Sequence, residues 1–301
     1  MLRPALRFLF IFFLLTPLAR AETVALLLSG NDAPYAEFAS NFRDAMAGGS
    51  WKVAILAAVD DLDNAAERPD LIIAVGSNAF RQTLTRNNPI PVIATLIPRL
   101  SYEKLLAGSS NRSHRISAIW LDQPAPRQAA FIRHLLPGKN RIGMLISNET
   151  RQQSAQFRQA FTAAGLSLDS EESETEQTLL PALNSLLARV NILLAIPDTS
   201  IYKRDSIKSI LITTYRYQRP VVAFSAAFVN AGALAALYST PAQIARQSAE
   251  VIHSFGIALP PPMFPNQFAV LINQNVAQAL DLNIRDEADI RRALLADKDA
   301  R

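Results

Sequence analysis

The stretch from Asn191 to Ser239 limits the possible folds more than any other part of the chain. Ile192-Leu193-Leu194-Ala195-Ile196 is apolar without interruption, as a strand must be when helices cover both faces of its sheet. Pro197 ends the run, because proline cannot donate to a strand ladder. Asp198, Thr199 and Ser200 are placed to accept from the first amides of a helix expected over 201–217. After Arg219-Pro220 a second run, Val221-Val222-Ala223-Phe224, stops at Ser225, and Asn230-Ala231-Gly232 leads into a third, Ala233 to Tyr238. Strand, polar turn and helix in this order predict an α/β fold with a doubly wound parallel sheet. In such sheets ligands bind beyond the carboxyl ends of the strands, which makes Asp198, Thr199 and Ser225 candidate ligand contacts.

The same unit recurs along the chain. Thr23 to Ser29 predicts a strand ending at Gly30-Asn31-Asp32, followed by a helix with Phe38, Phe42 and Ala45 at helical spacing and a Gly48-Gly49 stop. Strands are expected at Trp51 to Ala57, Asp70 to Val75, Pro91 to Thr95 and Ile116 to Leu121. Gly76-Ser77-Asn78 turns into a helix carrying Phe80 and Leu84, and its first amides are free to hold an anionic oxygen. From Pro124 the series begins again: a helix to Leu136, a Pro137-Gly138 stop and the strand Arg141 to Ile146, ending in Ser147-Asn148-Glu149. A restart of this kind predicts a second lobe. The candidate ligand set is therefore Asn31, Ser77, Asn78 and Thr95 on one lobe, facing Ser147, Asn148, Asp198, Thr199 and Ser225 on the other. Hydroxyls and amides dominate it, which suits a zwitterion or neutral solute better than a phosphate.

Further on, Phe157, Ala160, Phe161 and Ala164 share a helical face closed by Gly165, and Leu166 to Leu168 reads as a strand. Ser173 with Glu176 is the expected cap of a helix with Leu179, Leu183, Leu186 and Val190 inward, where Pro181 fits only in the first turn. The acidic run Glu171 to Glu176 reads as a solvated helix start. Thr240-Pro241-Ala242-Gln243 is a capping box opening a helix with Ile244, Ser248, Val251, Ile252 and Phe255 on one side. Pro260-Pro261-Pro262 is a stiff connector, Phe268 to Ile272 a strand, Asn273 to Leu280 a short helix, and the charged tail from Arg285 is expected to be peripheral.

Ala195-Ile196-Pro197-Asp198-Thr199, Arg219 to Ser225, Gly232-Ala233-Leu234-Ala235 and Val270-Leu271-Ile272-Asn273 with Ala277 and Leu280 resemble, in order and spacing, one known family. It is the tryptophan/tyrosine-type family of ABC transporter substrate-binding proteins, whose fold is the type I periplasmic binding fold. The N-terminal half is similar only in its strand and helix rhythm. It departs from the family where members carry an Asp-Pro pair and a Thr-Gly, having Ile97-Pro98-Arg99 and Ser117-Ala118 instead. The resemblance implies a three-segment hinge with crossings near Leu121, near Gly232 and in the proline connector. Lobe I would then span 22–120, completed by about 233–262, and lobe II 121–232, completed by about 263–301. It also implies a small-molecule, amino-acid-like ligand and an inner-membrane ABC permease as partner. The alternative on the same fold is a non-transport subunit serving a membrane sensor; an enzyme is less expected.

The absences agree with a binding protein. None of His114, His134 and His253 has metal-ligand spacing, and no nucleophile elbow, Walker loop or dinucleotide fingerprint occurs, so neither cofactor, metal nor catalytic residue is expected. Residues 1–21 read as a secretory signal peptide, with Arg3 and Arg7, the apolar core Phe8 to Leu15, and Ala19-Arg20-Ala21 as cleavage site. Its removal takes three arginines and no acid, leaving a nearly neutral chain without the basic block that nucleic acid would require. The sequence contains no cysteine, which excludes disulfides and a lipoprotein anchor. A free, monomeric periplasmic protein is expected.

Overall fold

The computed structural model describes residues 21–56, 58–61, 68–86, 89–109 and 115–300. The expected signal peptide, apart from Ala21, and His114 lie outside the described residues.

In the first lobe, β1 (Thr23–Leu28), β2 (Lys52–Leu56), β3 (Leu71–Val75), β4 (Val92–Ile97) and β5 (Ile116–Trp120) form a sheet in the order β2-β1-β3-β4-β5. Every pair is parallel. Helices α1 (Ala33–Met46), α2 (Ser77–Leu84) and α3 (Arg99–Ala107) make the crossovers. The two-residue period of a strand divides β1 between two cores: Val24 and Leu26 pack with Phe38 and Phe42, whereas Ala25 and Leu27 pack with Phe80 and Tyr102. All five residues of β3 are buried, and each large side chain so covered stabilises the fold by about 1.5–3 kcal/mol, which is why the strand reads as unbroken apolar sequence.

The second lobe contains α4 (Ala125–Leu135), β6 (Arg141–Ile146), α5 (Arg151–Ala163), β7 (Ser167–Glu172), α6 (Glu176–Leu187) and β8 (Ile192–Leu194). It continues with α7 (Arg204–Arg216), β9 (Val221–Ala223), α8 (Ala226–Asn230), β10 (Ala235–Tyr238), β11 (Ala269–Ile272), α10 (Gln274–Ala279) and α11 (Glu287–Ala296). Its sheet runs β11-β10-β9-β8-β6-β7 and is parallel except at the β10–β11 edge. A Cβ on Gly143 of β6 would lie 2.9 Å from both Leu186 and Val190, so the glycine is what lets α6 seat directly on the sheet. Helix α9 (Pro241–Phe255), opened by the expected Thr240–Gln243 capping box, returns to the first lobe and packs Ile244, Ala245 and Ile252 with Phe38 and Phe42 of α1.

Several expectations need correction. Strand β10 pairs with β9 and β11, so the second crossing falls after Tyr238 and not near Gly232. The tail from Arg285 is not peripheral, because α11 buries Ile290 and Leu294 in the core that also holds Phe131 of α4. Phe255 ends α9 about half exposed, one turn beyond the core that takes Ile252. Thr175, not Ser173, caps α6, exchanging bonds with Thr178 of 3.3 and 3.1 Å, and Pro181 lies inside the helix beyond its first turn. The acids Glu171 and Glu172 belong to β7, an edge strand that accommodates charge; Arg189 bridges Asp169 at 2.8 Å and Glu171 at 2.7 Å. Helix α7 starts at Arg204, after a turn that buries Ile201 and Tyr202.

Candidate functional site

Three segments pass between the lobes: one near Leu121, one at Ser239, and one from the end of α9 to β11. A buried polar clasp ties them together. Ser239 Oγ donates to the Gln267 carbonyl at 2.6 Å and accepts from Gln123 Nε2 at 2.8 Å. Gln123 Oε1 accepts from Arg127 Nη1 at 2.8 Å, and the same nitrogen donates to the Pro265 carbonyl at 2.9 Å. Arg127 Nε reaches the Ala300 carbonyl at 3.1 Å while the guanidinium lies 5.0 Å from the Phe268 ring. Burial pulls the Arg127 pKa below its ordinary value. The third segment also pairs with β5, Met263 N donating to the Ala118 carbonyl at 2.8 Å and Trp120 N to the Met263 carbonyl at 3.0 Å.

Beside the clasp a cavity of about 200 Å³ opens between the lobes. Pro98, Leu121, Asp122 and Gln123 close it on the side of the first lobe and first crossing; Gln128, Gln153, Phe157, Ile196, Pro197, Phe224 and Ser225 close it on the second, with Leu237, Tyr238 and Ser239 at the second crossing. Strand β4 is irregular just before Pro98: Leu96 has φ +47°, and the pairing with β5 shifts register between Thr95 and Ile97. Asp122 is the one charged side chain of this lining. Its Oδ2 accepts the first amide of α3, Arg99 N, at 2.5 Å, yet desolvation outweighs that bond and raises its pKa from 3.8 to about 6. The Arg99 guanidinium also lowers the Asp122 pKa, by less than burial raises it, but its hydrogen bonds go to Glu103 at 2.7 Å and Gln156 of α5 at 3.4 Å, and it lies 5.1 Å from the Trp120 ring centre. A second bridge between the lobes joins Lys104 Nζ to Glu149 Oε1 at 2.5 Å.

Of the nine sequence-predicted contacts, Ser225 alone lines this cavity; its Oγ also caps α8, accepting from Phe228 N at 3.3 Å. Asp198 and Ser147 meet in the interior of the second lobe. Asp198 Oδ2 accepts from Ser147 Oγ and Thr150 Oγ1, each at 2.7 Å, and from Ser147 N at 3.3 Å; Oδ1 accepts Ser200 N at 2.9 Å and Ile201 N at 3.2 Å. With Asp198 only 3 % exposed, the carboxylate ties the loop after β6 to its own turn after β8. Thr199 donates to Glu149 Oε2 at 3.0 Å, on the carboxylate that Lys104 bridges, and the Asn148 amide donates to Glu174 at 2.6 Å. On the first lobe Asn31 and Asn78 are exposed, Ser77 is half-buried, and Thr95 is fully buried with an Oγ1 that meets no partner. Gly76, at φ +91°, lets Ser29 come close: a Cβ there would lie 2.5 Å from Ser29 Oγ, which accepts from Ala79 N at 2.8 Å and so occupies one of the α2 amides.

Asp122, Gln128 and Gln153 were not among the residues expected from the sequence. The available signal was the polar pair Asp122-Gln123 following directly on the expected crossing at Leu121.

A family model described as ABC transporter substrate binding protein matches residues 52–293. A search of curated proteins by sequence finds no match. Among solved structures the chain is similar to an ABC domain in complex with L-Trp from Streptococcus pneumonia, with TM-score 0.60 and 16% identity over 90% of this chain and 98% of that one. It is similar also to the ligand-free, open form of a substrate-binding protein with adhesive properties from Clostridium difficile, with TM-score 0.66 and 13% identity over 88% and 96% of the two chains. A periplasmic ribose ABC transporter protein from Conexibacter woesei gives TM-score 0.55 and 14% identity over 91% and 98%. At these identities the likeness concerns the fold.

Proposed function

The chain belongs to the ABC transporter substrate-binding protein family, and from that premise we propose that it captures a small, polar, amino-acid-like solute between its lobes and delivers it to an inner-membrane ABC permease. The family is one of substrate-binding proteins, not of enzymes. The observation that carries the proposal is the cavity at the hinge, walled by residues of both lobes and by two of the crossings. A solute there contacts both halves at once, so its binding energy acts directly on the equilibrium between open and closed arrangements. The volume is below the ~300–1,000 Å³ of pockets for drug-sized molecules, which fits a metabolite of amino-acid size. No lysine or arginine is among its lining residues, which fits poorly with a phosphorylated solute.

We place the protein, in this reading, in the periplasm after loss of residues 1–21, acting as a free monomer. No helix among the described residues is long and apolar enough to cross a membrane. A thermal-shift screen of amino acids, amines, purines and sugars tests capture: a ligand raises Tm with the logarithm of its concentration. Stimulation of the partner permease's ATPase by the loaded protein tests delivery. Capture without stimulation would favour the sensor reading, and a screen without any hit would contradict capture.

A further inference from the structure

Resting on the reading of the cleft as a solute site, and narrowing its amino-acid-like class to relatives that lack the carboxylate, we infer that the charged group recognised there is a cation: the ligand is a small primary amine on an apolar body, its ammonium held by Asp122 and Gln128. Most of the polar lining is already committed. Gln123 bonds Ser239 and Arg127, Ser239 donates to the Gln267 carbonyl, and Ser225 caps α8. Two acceptors stand out. Asp122 has one oxygen on Arg99 N and carries the only formal charge in the lining. Gln128 is 4 % exposed, and its Oε1 is buried without any donor. A buried acceptor without a donor costs about 1–3 kcal/mol, and a ligand N–H removes that cost. Gln153 and the Tyr238 hydroxyl, each both donor and acceptor, accommodate a further polar atom of either kind.

A ligand carboxylate finds no cation in the lining, and those nearby already have partners. The arginines adjacent in sequence to lining residues are engaged: Arg99 with Glu103, Gln156 and the Trp120 face, Arg127 with the Gln123 side chain and the carbonyls of Pro265 and Ala300, and Arg158 with Ser170. Lys104 is taken by Glu149. The rest of the wall is apolar: Leu121, Phe157, Ile196, Phe224 and Leu237, beside Pro98 and Pro197, surround a body of hydrocarbon or aromatic character. An ammonium with a carboxylate partner is stabilised there, whereas an α-carboxylate added to the same skeleton gives up its hydration for neutral donors alone and lies near the Asp122 charge.

Isothermal titration of the mature protein with phenethylamine, phenylalanine and 3-phenylpropionate at neutral pH tests this, because the three share one skeleton and differ only in charge. Phenethylamine is expected to bind at least ~10-fold tighter than phenylalanine, and the acid to give no measurable binding. Asp122→Asn should weaken the amine about 30-fold and Gln128→Leu about 5-fold, with the folded circular-dichroism spectrum kept. Phenylalanine or the acid binding as tightly as the amine would overturn the amine class while leaving solute capture intact. Amine affinity unchanged in Asp122→Asn would overturn it equally, as would no heat from all three. In that last case the wider screen above still decides whether the cleft holds a solute at all.

Discussion

The two lobes are built on one plan, yet their edges at the cleft differ. In the second lobe the polar residues at the strand ends are turned on one another, with Asp198 collecting five donors from Ser147, Thr150, Ser200 and Ile201. In the first lobe the corresponding edge stays unsettled: Leu96 sits at positive φ in a register shift, Thr95 Oγ1 lacks a partner, and Asn31 and Asn78 face solvent. A polar residue at a strand's carboxyl end thus has two uses. It serves a ligand only if the neighbouring loops leave it unsatisfied. The rigid second-lobe edge and the looser first-lobe edge meet at the hinge, where Asp122 lies.

The largest expected effect breaks the rigid side. Asp198→Ala orphans several buried donors and should lower the unfolding free energy in urea by roughly 3 kcal/mol, with no more than a small change in solute affinity. A variant as stable as wild type would mean that the knot contributes nothing.

The next concerns Asp122, and its sign is opposite. Because burial raises its pKa from 3.8 to about 6, the folded state holds a proton that the unfolded chain releases. Its contribution to stability is therefore complete below pH 3.8 and is lost as pH rises through 6. Asp122→Asn should stabilise the ligand-free protein at pH 7.5 by roughly 2 kcal/mol and change little near pH 3.5, as read from urea unfolding at the two pH values. Equal shifts at both would contradict the desolvated carboxylate.

Smaller still is the clasp. Ser239→Ala removes the link between the first and third crossings and should cost about 1 kcal/mol, while increasing protease cleavage near the proline connector. Lys104→Ala, on an exposed bridge between the lobes, should alter stability by less than ~0.5 kcal/mol, and the effect should vanish in high salt.

How far the sequence could be read follows the same division. Strands such as β3 and β8, covered on both faces, must be apolar throughout and so declare themselves. The Thr240–Gln243 cap declares itself because both its bonds are local. Helix α11 was obscured since its buried Ile290 and Leu294 stand among charged neighbours, and a short amphipathic helix in a charged tail has few inward positions to display. The cavity was illegible for another reason. Gln123 and Ser239, 116 residues apart in the chain, meet only through the tertiary fold, and no periodicity encodes that meeting. Asp198 was legible as a cap of the following turn, but its bonds to Ser147 and Thr150, from a loop about fifty residues away, were not.

A solute that binds between the lobes should alter their separation. The chain contains no cysteine, so Asn78→Cys on the first lobe and Asn148→Cys on the second, both exposed positions, allow two spin labels to be attached without background. The distance between them, measured by pulsed electron resonance with and without a solute that calorimetry shows to bind, should change from a broad distribution to a narrow one at saturation. A distribution that stays the same at saturating solute would contradict capture between the lobes.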